Sequence, residues 1–307
     1  MTVRYMVFAA RNVKKLFRKV AVLSVLFLWS CRSGETHTGE DRHAADTVYV
    51  LPWEQLEVYM NAAPSPVQVA TWLRQERVPF YKDMLHDPTL AGRYSGLQGA
   101  ANLGIYLTDM AYAHATNHYQ EAYEYLSAVN RLATLYGLGD IFSLERIKSL
   151  DKLQDNPDSM QKLLTQYYSE VQTRLSETGQ QPMLRHMILG GWTESLHIIL
   201  ALLEKNASNQ PLAEMILLQK GLTPLLIKLY SADTSLSPVS HQIVTQLEDM
   251  QEELNALPIG EGSPVPSTQV NKGVIQMKFQ QKTSLTPEQI KRLKERLTSL
   301  RHFIMKV

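Results

Sequence analysis

Apolar positions recur along most of this chain with the period of an α-helix. Ala122, Leu126, Val129, Ala133 and Tyr136 follow one another at spacings of four and three, as do Val239, Ile243, Leu247, Met250, Leu254 and Leu257. Ile290, Leu293, Leu297, Leu300 and Ile304 repeat the pattern near the end of the chain. Such spacing gathers apolar side chains into one stripe that a helix can bury against a core. Start and stop signals bound the stripes. Ser65-Pro66, Asn156-Pro157, Ser237-Pro238 and Thr286-Pro287 each place a capping side chain before a proline at the first helical position, where no amide donor is needed. Thr286 and Gln289 have the spacing of a capping box. Gly137 and Gly179 stand where helix ends take a residue at positive φ. These signals predict helices over roughly 66–77, 96–116, 119–136, 143–154, 157–178, 182–205, 210–231, 238–257 and 287–305.

The fold class this implies is all-α, a multi-helix bundle of about eight to nine helices with at most two short strands. The extended candidates are TVYVL at 47–51 and GVIQMKF at 273–279, which could pair with each other. Helical-hairpin, repeat-like packing is a variant of the same architecture, although the helices differ in length and no clean period emerges. The segment 258–273, PIGEGSPVPSTQVNKG, has the proline, glycine and serine content of a linker. It separates a helical domain at 47–257 from a short extended segment and C-terminal helix at 274–307, which reads as a separate lid or arm.

The first thirty residues carry an address. Arg4, Arg11, Lys14, Lys15, Arg18 and Lys19 precede the apolar run VAVLSVLFLW at 20–29, and no acidic residue occurs before Glu35. That is the layout of a secretory signal peptide over 1–30. The run is shorter than the roughly 20 apolar residues a spanning helix needs. Leu28-Trp29-Ser30-Cys31 resembles the bacterial lipobox, with an aliphatic residue three places before the cysteine and a small one next to it. Trp29 departs from that pattern, which has a small or aliphatic residue there. The resemblance implies cleavage before Cys31, the chain's single cysteine, and its acylation by lipid chains such as palmitate. Residues 32–46, RSGETHTGEDRHAAD, then form a polar tether. Because Arg32, Ser33 and Gly34 precede Glu35, the periplasmic face of the outer membrane is favoured over the cell surface.

Removal of the signal changes the charge. Six of the 31 basic residues leave and all 30 acidic ones remain, so the mature chain carries a net charge of −5. A mildly acidic body lacks the concentrated basic surface that nucleic acid requires, and nucleic acid is excluded as a partner.

Candidate chemistry concentrates on two unusual helices. GLQGAANLGIYLTDMAYAHATNH at 96–118 is rich in glycine and alanine, and each glycine inside a helix costs about 1 kcal/mol relative to alanine. Close approach of another backbone usually offsets such a cost, so this helix reads as central. Asp109 interrupts its apolar run, with Tyr106 and Tyr112 one turn away on either side. MLRHMILGGWTESLHIILALLEK at 183–205 has the same character, with Gly190 and Gly191 small and with Glu194 and His197 among apolar residues. Two acids on apolar helices can share a pocket and act as acid, base or ligand anchor. They can equally accept hydrogen bonds that fix helix packing. Tyr106, Asp109, Tyr112, Trp192, Glu194 and His197 are the residues that would line a ligand site here.

Other constellations are weaker. His114 and His118 share a helix face at metal-chelating spacing but have no acidic partner between them. His186 and His197, three turns apart, could meet only through tertiary contact. No nucleophile elbow or phosphate-binding glycine loop is present. No catalytic residue, cofactor or metal is therefore assigned. KRLKERLTSLR at 291–301 carries five cations against one glutamate, which suits either a solvated helix face or contact with anionic headgroups or an acidic partner.

The segments PSPVQVATWLRQERVPFYKDML, NLGIYLTDMAYAHATNHYQEAYEYLSAVNRLATLYG, GGWTESLHI and SLTPEQIKRLKERLTSLR together resemble a family of Bacteroidota lipoproteins without an assigned function. Asn102, Leu103, Gly104, Tyr106, Asp109, Ala111, Tyr112, Gly190, Gly191, Trp192 and Glu194 carry the resemblance. It implies an exported, helical, lipid-anchored protein and supplies no catalytic residues. The expectation is a non-catalytic binding or scaffold protein of the envelope, held to the membrane through Cys31, with an envelope protein or small molecule as ligand. The alternative is an envelope enzyme using Asp109 and Glu194.

Overall fold

Caps set where the helices begin. In the computed structural model, which describes residues 66–152, 156–231, 237–258, 270–271, 274–275 and 284–306, Asn156 Oδ1 accepts from the Ser159 amide at 3.1 Å. Ser237 Oγ accepts from the Ser240 amide at 3.1 Å. Thr286 and Gln289 close a reciprocal capping box, at 3.2 and 2.8 Å. The described helices are α1 (Pro66–Gln75), α2 (Gly96–Ala115), α3 (Tyr119–Leu135), α4 (Leu144–Asp151), α5 (Pro157–Glu177), α6 (Gln181–Lys205), α7 (Gln210–Ser231), α8 (Pro238–Asn255) and α9 (Pro287–Ile304). Two 3₁₀ turns, Lys82–Met84 and Pro88–Arg93, lie between α1 and α2. The all-α class is the one the periodicity predicted. The signal peptide, Cys31, the tether, TVYVL, Ser65 and residues 259–269 of the linker lie outside the described residues.

The ends of α1, α2, α3 and α5 follow one device. At Gly137 (φ 71°) and Gly179 (φ 67°) the chain turns left-handed. The next amide then reaches back, Leu138 to the Ala133 carbonyl at 2.9 Å and Gln180 to the Leu175 carbonyl at 2.7 Å. Arg77 (φ 51°) and Asn117 (φ 64°) make the same turn without being glycine. There the Val78 amide reaches the Leu73 carbonyl at 3.2 Å and the His118 amide the Ala113 carbonyl at 2.8 Å. A side chain with a Cβ is strained in this region by roughly 1–2 kcal/mol. Arg77 is exposed, so Arg77→Gly is expected to raise stability by about 0.5–1 kcal/mol, less than the full strain because glycine loosens the unfolded chain. A denaturant melt reads this as a higher midpoint at unchanged slope.

The core is organised around one crossing. α2 and α6 form the principal packing contact, with α1 and α3 laid on α2, and α7 and α9 on α6. α8 packs on both α7 and α9. The central pair is distant in sequence, so the architecture is not a linear stack in which each hairpin touches its neighbours alone. α6 is long and apolar enough to cross a membrane by length and composition. However, 83 % of its most apolar window is buried within the protein, which is the pattern of a core helix. Pro224, inside α7, cannot donate to the Lys220 carbonyl, and Gln251 Nε2 of α8 reaches that oxygen at 3.4 Å instead.

One expectation is corrected. α9 is not a separate arm: Ile290, Leu293, Leu297, Leu300 and Ile304 are all buried, and all described residues belong to one unit spanning Thr47–Val307. Burying each such side chain stabilises by about 1.5–3 kcal/mol relative to exposure, which holds the helix down. Val274-Ile275 pairs with Val270-Asn271, antiparallel and in the register Val270↔Ile275 and Asn271↔Val274. A local hairpin costs less chain entropy than a pairing across some two hundred residues.

Candidate functional site

The α2–α6 crossing brings the two carboxyls together. Gly104 and Gly190 leave no room for a Cβ: one built on Gly104 would lie 2.7 Å from Gly191 N, and one on Gly190 2.7 Å from the Ala101 carbonyl carbon. Thr108 Oγ1 bridges the contact, reaching the Gly104 carbonyl at 3.1 Å and the Gly191 carbonyl at 3.3 Å. One turn further along each helix stand Asp109 and Glu194, both 0 % exposed and close enough for the charge of one to act on the other.

Glu194 is held from α9. Arg301 Nε donates to Oε2 at 2.6 Å and Nη2 to Oε1 at 3.0 Å, a bidentate pair with the guanidinium side chain 15 % exposed. Burial opposes the charge on Arg301, but the Glu194 carboxylate outweighs it and raises the guanidinium pKa above its ordinary value. Asp109 Oδ2 accepts the His86 amide at 3.1 Å. Burial first, then the Glu194 charge, push the Asp109 carboxyl well above the usual carboxylate range.

Four of the six candidate ligand residues bind the chain itself. Tyr106 Oη donates to the Asp87 carbonyl at 2.8 Å. Tyr112 Oη donates to the Pro79 carbonyl at 2.6 Å and accepts the Tyr81 amide at 3.2 Å. His197 Nε2 donates to the Met84 carbonyl at 3.0 Å. With Asp109 on the His86 amide, these side chains satisfy backbone groups of a connection that has little regular structure of its own. Lys205 Nζ adds a cation–π contact 4.2 Å from the Tyr81 ring. Sites that resemble a ligand pocket in sequence are therefore filled by residues 79–87 of the same protein.

Trp192 is not part of this cluster. Two positions from Glu194 is about 200° around a helix, and its Nε1 donates to Gln219 Oε1 of α7 at 2.8 Å. Residues the sequence did not single out complete the cluster. His86 stacks on Tyr106 with centroids 5.2 Å apart and places Nε2 2.9 Å from Tyr94 Oη. Burial and then Arg301 press the His86 imidazole down to about 4, so it is neutral at pH 7. Burial also lowers His197 and raises Tyr106 and Tyr125. Arg301 could have been found in the sequence, because it follows Leu297 by four and precedes Ile304 by three, on the edge of the buried stripe.

The remaining candidates disperse. His118 stacks on Phe80 at 4.0 Å and donates from Nδ1 to the Thr116 carbonyl at 2.9 Å, whereas His114 Nδ1 meets Arg74 Nη2 at 3.1 Å. His186 packs edge-on against Tyr230, apart from His197. Among the described residues no three His, Cys, Asp or Glu side chains converge as a metal site. In the basic run, Arg292 meets Glu253 at 3.1 Å and Arg296 meets Asp249 at 3.5 Å. Lys294 pairs with Glu204, Lys291 with Glu295 at 4.0 Å, and Arg301 with Glu194. All five cations thus face carboxylates of this chain.

No protein-family model matches the chain, and no curated protein and no solved structure shows significant similarity to it.

Proposed function

We propose that this chain is a lipoprotein of the bacterial cell envelope, anchored through acyl chains on Cys31 at the periplasmic face of the outer membrane. Its helical body serves there as a non-catalytic binding or scaffold domain. The address rests on the basic segment, the short apolar run and the lipobox-like Leu28–Cys31. The non-catalytic reading is carried by one observation: the polar atoms of Tyr106, Asp109, Tyr112 and His197 are engaged by the backbone of residues 79–87. A substrate would have to displace that segment before reaching either carboxyl.

The enzyme reading keeps one favourable observation, the convergence of Asp109 and Glu194. Turnover in a broad hydrolase and transferase screen, lost in a folded Asp109→Asn variant, would establish it in place of the binding role. For the anchor, metabolic labelling with palmitate and flotation are the measurements. The parent protein is expected to take up label and float with lipid, while Cys31→Ser takes up none and keeps its signal. A Cys31→Ser variant that is processed and floats like the parent would refute the anchor. Recovery of the intact protein from its native envelope, with mass spectrometry of co-purifying proteins and small molecules, then identifies the ligand.

A further inference from the structure

The cluster at the α2–α6 crossing has an uneven charge count. Two carboxyls and one guanidinium share a space that gives Asp109 and Glu194 no exposure. Arg301 engages both oxygens of Glu194, and the His86 amide engages one oxygen of Asp109. The other, Oδ1, is buried and meets no donor, and the Glu194 charge acts on the same carboxyl. Two carboxylates present four acceptors and no donor to each other. A hydrogen bond between them requires a proton, and Oδ1 is the atom left to carry it.

Among the described residues, the charged side chains acting on Asp109 are Glu194 and Arg301, and Arg93 acts on Tyr94 and Asp87 at the edge of the cluster. From the 79–94 connection, His86 faces the cluster as a neutral imidazole, Asp87 adds a negative charge and Tyr94 a phenol. Tyr106 faces it from α2, Tyr125 from α3 and His197 from α6, all neutral at pH 7. Lys294 on α9 is paired with Glu204.

We propose that Asp109 holds a proton at neutral pH and that this proton joins α2 to α6 by bridging the Asp109 carboxyl to Glu194. With it, the cluster is neutral and every oxygen is bonded. Without it, a second negative charge is confined beside the first at the α2–α6 crossing, while the His86 amide keeps its acceptor.

The sign follows from the direction of the Asp109 shift, which is upward from burial and then Glu194. An acid whose folded-state pKa lies above its unfolded value contributes stability that is complete below the ordinary carboxylate range. That contribution is lost as pH rises towards and through the folded pKa, at up to about tenfold in the unfolding constant per pH unit. Asp109→Asn keeps the shape, offers an N–H to Glu194 and a carbonyl to the His86 amide, and has no proton to lose.

Full-length wild type and Asp109→Asn are to be compared in unfolding as a function of pH. The wild type is expected to lose stability relative to the variant as pH rises above the carboxylate range. The variant is expected to be the more stable of the two at pH 8. An infrared band of a protonated carboxyl should be present at pH 7 in the wild type and missing from the variant. Parallel pH profiles, or no such band in the wild type, would overturn the proposal. The infrared result stands on the wild type alone, should the variant fail to fold.

Discussion

Gly104→Ala is expected to destabilise the protein by at least about 3 kcal/mol, more than most single substitutions, although a helical alanine is intrinsically preferred to glycine by about 1 kcal/mol. A Cβ there would run into the Met187 carbonyl oxygen and lie 2.7 Å from Gly191 N and 2.9 Å from the Met187 carbonyl carbon. All three obstacles are backbone atoms, so no side chain can rotate away and the two helices must separate. Overpacking of this kind ordinarily costs about 1–3 kcal/mol when side chains can adjust. Here separation would also stretch the Thr108 bridge to Gly191 and part Asp109 from Glu194. Gly190→Ala meets the Ala101 backbone in the same way. Because one separation relieves both clashes, the double variant is expected to cost less than the sum of the two singles. Gly221, in α7, is the control: nothing lies within 4 Å of a Cβ built on it, so Gly221→Ala should gain up to about 1 kcal/mol. Denaturant midpoints measure all four. A Gly104→Ala protein as stable as the parent would mean that the crossing is looser than described.

The contrast between these glycines shows what the sequence could convey. Helix positions were legible because caps and stripes are local: Asn156, Ser237 and Thr286 each bond an amide three residues on. Glycines within apolar helices pointed to a close crossing, yet Gly221 looks the same in sequence and faces open space. Asp109 and Glu194 stood out because acids seldom interrupt apolar runs. What holds them did not. Arg301 was one of five cations in a basic run, and its distinction lies in its place beside the stripe. The 79–94 connection was silent for a different reason. It is held through the Pro79, Met84 and Asp87 carbonyls and the Tyr81 and His86 amides, and backbone groups are the same in every residue. Asp87-Pro88 did carry a readable signal, the same capping pair used at the helices, with Asp87 Oδ1 accepting the Thr89 amide at 2.9 Å. Trp192 was grouped with Glu194 by nearness along the chain, which on a helix is not nearness in space.

Arg301→Met is expected to cost about 3–5 kcal/mol, because it leaves the fully buried Glu194 without the cation that engages both its oxygens. The loss comes chiefly from a stranded charge and only in small part from a missing contact, and a second substitution separates the two. In Glu194→Gln/Arg301→Met no charge remains at the position, so most of the stability is expected to return, with a coupling energy of roughly 2–3 kcal/mol. The exposed pairs on the same helix set the scale. Lys291→Ala, which removes an i,i+4 pair with Glu295 whose side chains are 78 % and 65 % exposed, should change stability by less than about 0.5 kcal/mol. A deficit unrepaired by Glu194→Gln would place the role of Arg301 in packing its aliphatic stem beside Leu297 and Leu300. A deficit that closes in the double variant places it in the charge, and makes α9 the element that neutralises the centre of this fold.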